Sequence, residues 1–143
     1  MIAFDTNLLL PALEPSHPDH GRARAFLDSL EGEVALSELV LMELYVLVRN
    51  PALVRRPLGA AAAVKLIRHL RSHPRWRLLD APEGVMAEVW EKAAAPGFGR
   101  RRIYDARLAV SLLRQGVDEL ATRNVRDFRG LGFARVFDPL AGG

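Results

Sequence analysis

Cysteine is absent from these 143 residues. Neither a disulfide nor a thiolate zinc site can form, and nothing argues for an oxidising compartment. Histidine is scarce too. His17 and His20 have a usable ligand spacing, but they sit in a proline-rich helix start with no third ligand apparent. No apolar run approaches the ~20 residues of a membrane helix. The opening MIAFD lacks a basic n-region and carries an acid at position 5, so it does not read as a signal peptide. A cytoplasmic protein is the expectation. Phosphate-binding loops are missing as well: GLGF at Gly130–Phe133 and GFGR at Gly97–Arg100 lack the third glycine and the strand–turn–helix setting, and no P-loop lysine motif exists.

What remains is an ordinary soluble composition, 50% hydrophobic and 26% charged, in a chain long enough for one domain with a real core. The net charge is +3, and its basic side is almost entirely arginine, 18 Arg against 2 Lys. Arginine's planar fork matches phosphate, so this excess permits a nucleic-acid partner. It does not require one, because a genome rich in G and C also favours arginine codons.

Short apolar runs alternate with amphipathic stretches. Strands are expected at Ile2–Asp5, Val34–Leu36, Trp76–Leu79, Leu120–Thr122 and Arg135–Phe137. Helices are expected over His17–Leu30, from an N-cap at Ser37 to Asn50-Pro51, over Ala60–Leu70, over Pro82–Ala95 and from Tyr104 to Gln115, where Gly116 ends it. Strands separated by helices imply an α/β fold, a parallel sheet covered on both sides, in one domain over residues 1–143. The helices of Leu39–Val48 and the Ala60–Val64 run read as core, with one face left for a partner, and Trp76 and Trp90 as core or interface.

Functional groups of such a sheet gather at the carboxyl ends of its strands. Most of the 17 acids have a structural explanation there or elsewhere: Glu38 suits a helix start, Glu88 and Glu91 an exposed face, Asp118 a turn. Glu43 does not. Its helical neighbours are Leu39, Val40, Val46 and Leu47, so its face reads as the buried stripe. A buried, unpartnered carboxylate is costly; a cation or an arginine meets it, or it opens into a cleft. Asp5 lies between MIAF and Leu8-Leu9-Leu10, an unusual place for an acid unless it caps Thr6 and Asn7. Asp105 follows Arg100, Arg101 and Arg102 in the first turn of its helix, and Asn124 and Asp127 follow the strand ending at Thr122. All belong on one rim. Several carboxylates without Cys or a His set match a hard divalent cation, magnesium above all, which keeps several waters and takes one or two carboxylates plus substrate phosphate.

Four segments, FDTNLLL, SELVLMELYVLVRNP, RIYDARLA and LATRNVRDF, stand in this order from Phe4 to Phe128. In them the sequence resembles the PIN-domain family, specifically the VapC-type toxins of bacterial type II toxin–antitoxin systems. The resemblance implies a three-layer α/β/α fold with a mostly parallel central sheet. It makes Asp5 and Asp105 the principal Mg2+ ligands, with Mn2+ able to substitute, and Glu43 a direct or outer metal partner and base-side residue. Thr122 and Asn124 would support the attacking water or the substrate phosphate. Many members carry an acid where this chain has Asn124, so the fourth acidic position is open between Asn124 and Asp127.

The implied activity is in-line hydrolysis of RNA phosphodiesters to a 3′-hydroxyl and a 5′-phosphate. Arg100, Arg101, Arg102, Arg123 and Arg126 flank the rim and would hold the RNA backbone, unless they are plain solvated surface. The implied partners are an RNA substrate, a short antitoxin whose C-terminal segment blocks the acidic site, and a second copy in a homodimer; no membrane is involved. Two other readings stay open. One is a PIN-fold RNA- or protein-binding module with little catalysis. The other is an α/β phosphotransferase, although that chemistry wants a second acid where Asn7 stands.

Overall fold

The computed structural model describes residues 1–142. Its strands are β1 (Ile2–Phe4), β2 (Val34–Ser37), β3 (Trp76–Leu79), β4 (Glu119–Ala121) and β5 (Arg135–Phe137). They form one sheet in the order β3-β2-β1-β4-β5, and every neighbouring pair is parallel. The sheet is thus wholly parallel rather than mostly so. The apolar character of these short runs follows: Val34–Ser37 is buried at all four positions, as a strand covered on both faces must be.

The helices are α1 (Thr6–Leu13), α2 (His20–Ser29), α3 (Glu38–Val48), α4 (Ala60–Arg71), α5 (Val85–Ala93), α6 (Arg102–Arg114) and α7 (Val125–Phe128). They pack in two groups, α1 to α4 and α5 to α7. The chain steps one way from β1 to β3, then returns to lay β4 and β5 on the other side of β1. Right-handed crossovers in opposite directions put the two groups on opposite faces. Strand order therefore reverses between β1 and β4, and the crevice at their carboxyl ends is where such a fold opens to a ligand. None of the described helices is long and apolar enough to cross a membrane.

Two helices depart from expectation. The first strand stops at Phe4, and Asp5 caps an unforeseen helix α1, accepting from the Thr6 amide at 2.8 Å. Pro11 lies inside that helix and cannot donate to the carbonyl four residues back. Leu8, Leu9 and Ala12 are nonetheless buried, and a fully buried leucine contributes roughly 1.5–3 kcal/mol, which outweighs the lost bond. The second is the single turn α7, which the sequence suggested only as a loop. The Ala60–Val64 run is not core: within it only Ala63 is buried, the rest facing solvent. Trp76 packs edge-on to Phe4 at 5.0 Å, whereas Trp90 is exposed.

Candidate active site

Three of the expected acids open on one cleft. Asp5, at the end of β1, sits beside Glu43 of α3 and Asp105 of α6 around a volume of about 490 Å³, with Arg101 and Tyr104 on its lip. Helical spacing accounts for the α6 contribution, since Arg101, Tyr104, Asp105 and Leu108 repeat at three and four residues and so share a face. Glu43 corrects the reading from its neighbours. It is solvent-accessible, because Met42 and Val46 on either side are also exposed; the apolar stripe of α3 faces the sheet through Val40, Leu41 and Leu44 instead.

Asp5 is held tightly. Its Oδ1 accepts from the Thr6 amide and its Oδ2 from the Thr122 hydroxyl, both at 2.8 Å, with Asn7 Nδ2 at 3.4 Å. Thr122 Oγ1 in turn accepts from the Asn124 amide at 3.0 Å and from Asn7 Nδ2 at 3.2 Å. One donation and two acceptances saturate a hydroxyl. Thr122 is also fully buried, so the expectation that it contacts RNA is corrected: it fixes the Asp5 carboxylate. Glu43 is steadied by the Thr6 hydroxyl, 3.1 Å from its Oε2. Asn124 and Asp127 do not line the cleft. They bond each other, Asn124 Nδ2 to Asp127 Oδ2 at 2.7 Å, and Asp127 reaches the site by its charge, which raises the Asp105 pKa.

The electrostatics are those of acids lacking a counter-charge. Burial pushes Asp5 up despite its hydrogen bonds, and burial together with the Asp5 charge raises Glu43. Asp105 is pushed up to about 6, by burial first and then by Asp5, Asp127 and Glu43, with Arg102 opposing weakly. Among the described residues no basic side chain forms an ion pair with Asp5, Glu43 or Asp105. All-oxygen donors carrying excess negative charge suit Mg2+ or Mn2+. Among the described residues no group of three or more acidic or histidine side chains is placed to hold an ion by itself, and magnesium, which keeps several waters, is commonly held by one or two carboxylates plus substrate phosphate. Asp5, Asp105 and Glu43 would hold it.

The flanking arginines divide. Arg101 lines the cleft, and Arg100 and Arg126 are exposed. Arg123, also exposed, is engaged within the fold: its guanidinium bridges Asp19 at 2.7 Å and Asp138 at 3.0 Å. Arg102 is committed in part, donating to the Asp127 carbonyl at 3.1 Å and lying over the Phe98 ring. His17 and His20 are far from this chemistry, their Nδ1 atoms spent on the Asp19 amide and the Pro11 carbonyl. Sequence reasoning did not single out Thr6 or Asn7 as site residues. The signal was their place after Asp5, in the first turn of a helix whose start aims amides and short polar side chains at the cap.

Comparison with known proteins agrees with this geometry. The profile of the family described as PIN domain matches residues 2–134. Ribonuclease VapC24 of Mycobacterium tuberculosis is 50% identical over 143 residues, 98% of this chain and 97% of its own. Among solved structures, M. tuberculosis VapC20, titled a Sarcin-Ricin loop cleaving toxin, superposes with a TM-score of 0.72 at 20% identity, covering 93% of this chain and 96% of that one. FitAcB from Neisseria gonorrhoeae gives 0.68 at 28% identity, covering 97% and 98%. A profile spanning almost the entire sequence and a relative half identical along its length leave one assignment: the chain belongs to the PIN domain family and, within it, to the VapC proteins.

Proposed function

We propose that this protein, as one unit over residues 1–143, is a Mg2+-dependent endoribonuclease of the cytoplasm and the toxin of a type II toxin–antitoxin pair. The observation that carries the reading is the meeting of Asp5, Glu43 and Asp105 on one cleft with, among the described residues, no basic side chain in an ion pair with any of them. A bound divalent ion supplies charge stabilisation at the phosphate and an activated water. The protein's own part is positional. Thr6, Asn7 and Thr122 lock the Asp5 carboxylate, and the Thr6 hydroxyl orients Glu43 to receive the proton of the attacking water. The water oxygen bonds to phosphorus as the bond to O3′ breaks opposite it, and O3′ takes a proton from solvent. Arg100, Arg101 and Arg126 supply backbone affinity. Asp127, bonded to Asn124, adds the fourth negative charge that Asp105 feels.

Asn7 stands where a phosphotransferase would carry its second acid, and its side chain is used to brace Asp5 and Thr122, so that alternative lacks its proton-transfer group. The experiment is cleavage of a structured RNA with Mg2+, with Mn2+, and with EDTA. Cleavage in either metal and none in EDTA is expected; persistent cleavage in EDTA defeats the metal mechanism, and no cleavage in any condition leaves the binding-module reading.

The antitoxin and the homodimer belong to the same proposal. Met42 and Val46, 61% and 64% exposed, line both the acid cleft and an apolar hollow shared with Tyr45, Val64 and Ile67 between α3 and α4. A continuous apolar strip ending at the acids suits a helical segment that lies on it and reaches the catalytic groups. Val46→Asp should therefore cut co-purification with the co-expressed antitoxin at least about tenfold while the melting temperature stays put. Undiminished co-purification would place the antitoxin on another surface.

A further inference from the structure

Arg107 lies two residues after Asp105, yet the acids do not use it. Among the described residues its Nε is buried without a partner and no carboxylate forms an ion pair with it. No acid among the described residues takes up the charge of this half-buried arginine, which leaves it to something from outside. Its position says what. Arg107 and Leu39 line both the acid cleft and a second hollow of about 280 Å³, walled by Pro82, Gly84, Val85 and Met86 between α3 and the start of α5. Apart from the arginine, these walls are apolar, and Met86 is 38% exposed at the mouth.

The order along the surface is thus acids, cationic fork, apolar hollow. A nucleic-acid strand presents phosphates in succession, each with a base beside it. The fork matches phosphate oxygens in two-point geometry, and the hollow offers methionine and proline surfaces to the flat face of an unpaired base. Gly84 belongs to the same construction. Its φ is +85°, a conformation that residues with a side chain rarely adopt, so the turn that forms this wall calls for glycine.

We infer that Arg107 binds the phosphate next to the one cleaved, and that the hollow beyond it seats the adjoining unpaired base, making this the subsite that selects single-stranded RNA. The inference rests on the ribonuclease reading, and the test separates the two. The probe is a short fluorescein-labelled single-stranded RNA of mixed sequence, bound in Ca2+ to suppress cleavage and cleaved in Mg2+. Arg107→Ala should weaken binding about tenfold, lower the salt slope by about one and raise KM with little change in kcat; Arg107→Lys should restore the slope. Met86→Trp, at an exposed position, should fill the hollow and weaken intact RNA, but not RNA made abasic at the seated nucleotide. Thermal unfolding checks that each variant is folded. Wild-type binding that no abasic position weakens overturns the subsite. Unchanged KM and slope in Arg107→Ala overturn the role of Arg107 while the nuclease stands. Wild type that neither binds nor cleaves RNA removes both.

Discussion

Asp5→Asn and Asp105→Asn are each expected to lower metal-dependent RNA cleavage by on the order of 10²–10³-fold or more, the scale at which a preorganised electrostatic group acts. Asparagine keeps the shape and removes the charge, so the comparison isolates what a cation would feel. The two variants should differ in another respect. Both Asp5 oxygens accept hydrogen bonds, from the Thr6 amide on one side and from Thr122 and Asn7 on the other. An amide has one acceptor oxygen, so its NH2 must face a donor, and the Thr122 hydroxyl, already accepting twice, cannot turn to receive it. Asp5→Asn therefore disturbs the support as well as the charge. Asp105 has no such side-chain bonds, and its substitution is clean. Purified variants assayed for cleavage beside wild type decide the matter: full activity in either removes the proposed mechanism.

The second large effect is on stability. Burial and three neighbouring acids push the Asp105 carboxyl from an ordinary 3.8 to about 6, against a weak opposing pull from Arg102. A raised carboxyl pKa means that the folded state binds the proton more tightly than the unfolded chain. Below about pH 4 both states are protonated and nothing is lost. Between about pH 4 and 6 the unfolded chain ionises first and folding stability falls; above about 6 the whole penalty is present. The group faces an open cleft, so solvent screening reduces the penalty to the order of 1–2 kcal/mol. In EDTA at pH 7.5, Asp105→Asn should thus melt a few degrees higher than wild type, about 2–6 °C for a chain of this size. The gain should vanish by pH 4, and Asp5→Asn should not match it. Added Mg2+ should raise the wild-type midpoint above pH 6, lose that effect below it, and leave Asp105→Asn unmoved. A variant that melts lower than wild type in EDTA would mean that the acids do not strain the fold.

Much of this arrangement was legible before any coordinates. The central strands announce themselves because a parallel sheet buries both their faces and leaves short apolar runs bounded by turn residues, while β3 and β5 at the edges are only partly buried. The rim could be placed because strand ends in such folds share an edge. What failed had physical causes. Helix α1 hid behind Pro11 and an unbroken leucine run, whose buried residues, Leu8, Leu9, Pro11 and Ala12, show no simple helical alternation. Glu43 was assigned to a buried stripe by its apolar neighbours, but a helix bordering a cleft exposes apolar residues too. Arg123 was grouped with its basic neighbours because ion pairs to Asp19 and Asp138, across 104 and 15 residues, leave no local trace. Arg107 passed unnoticed inside an apolar repeat.

The bond from Thr122 to Asp5 spans 117 positions. Later residues are made last, so a ribosome still holding β4 in its tunnel displays an Asp5 braced only by Thr6 and Asn7 and a β1 with one bare edge. The acid at the end of the first strand is thus completed by a segment made more than a hundred residues later, and the cleft stays unfinished until that segment has left the tunnel.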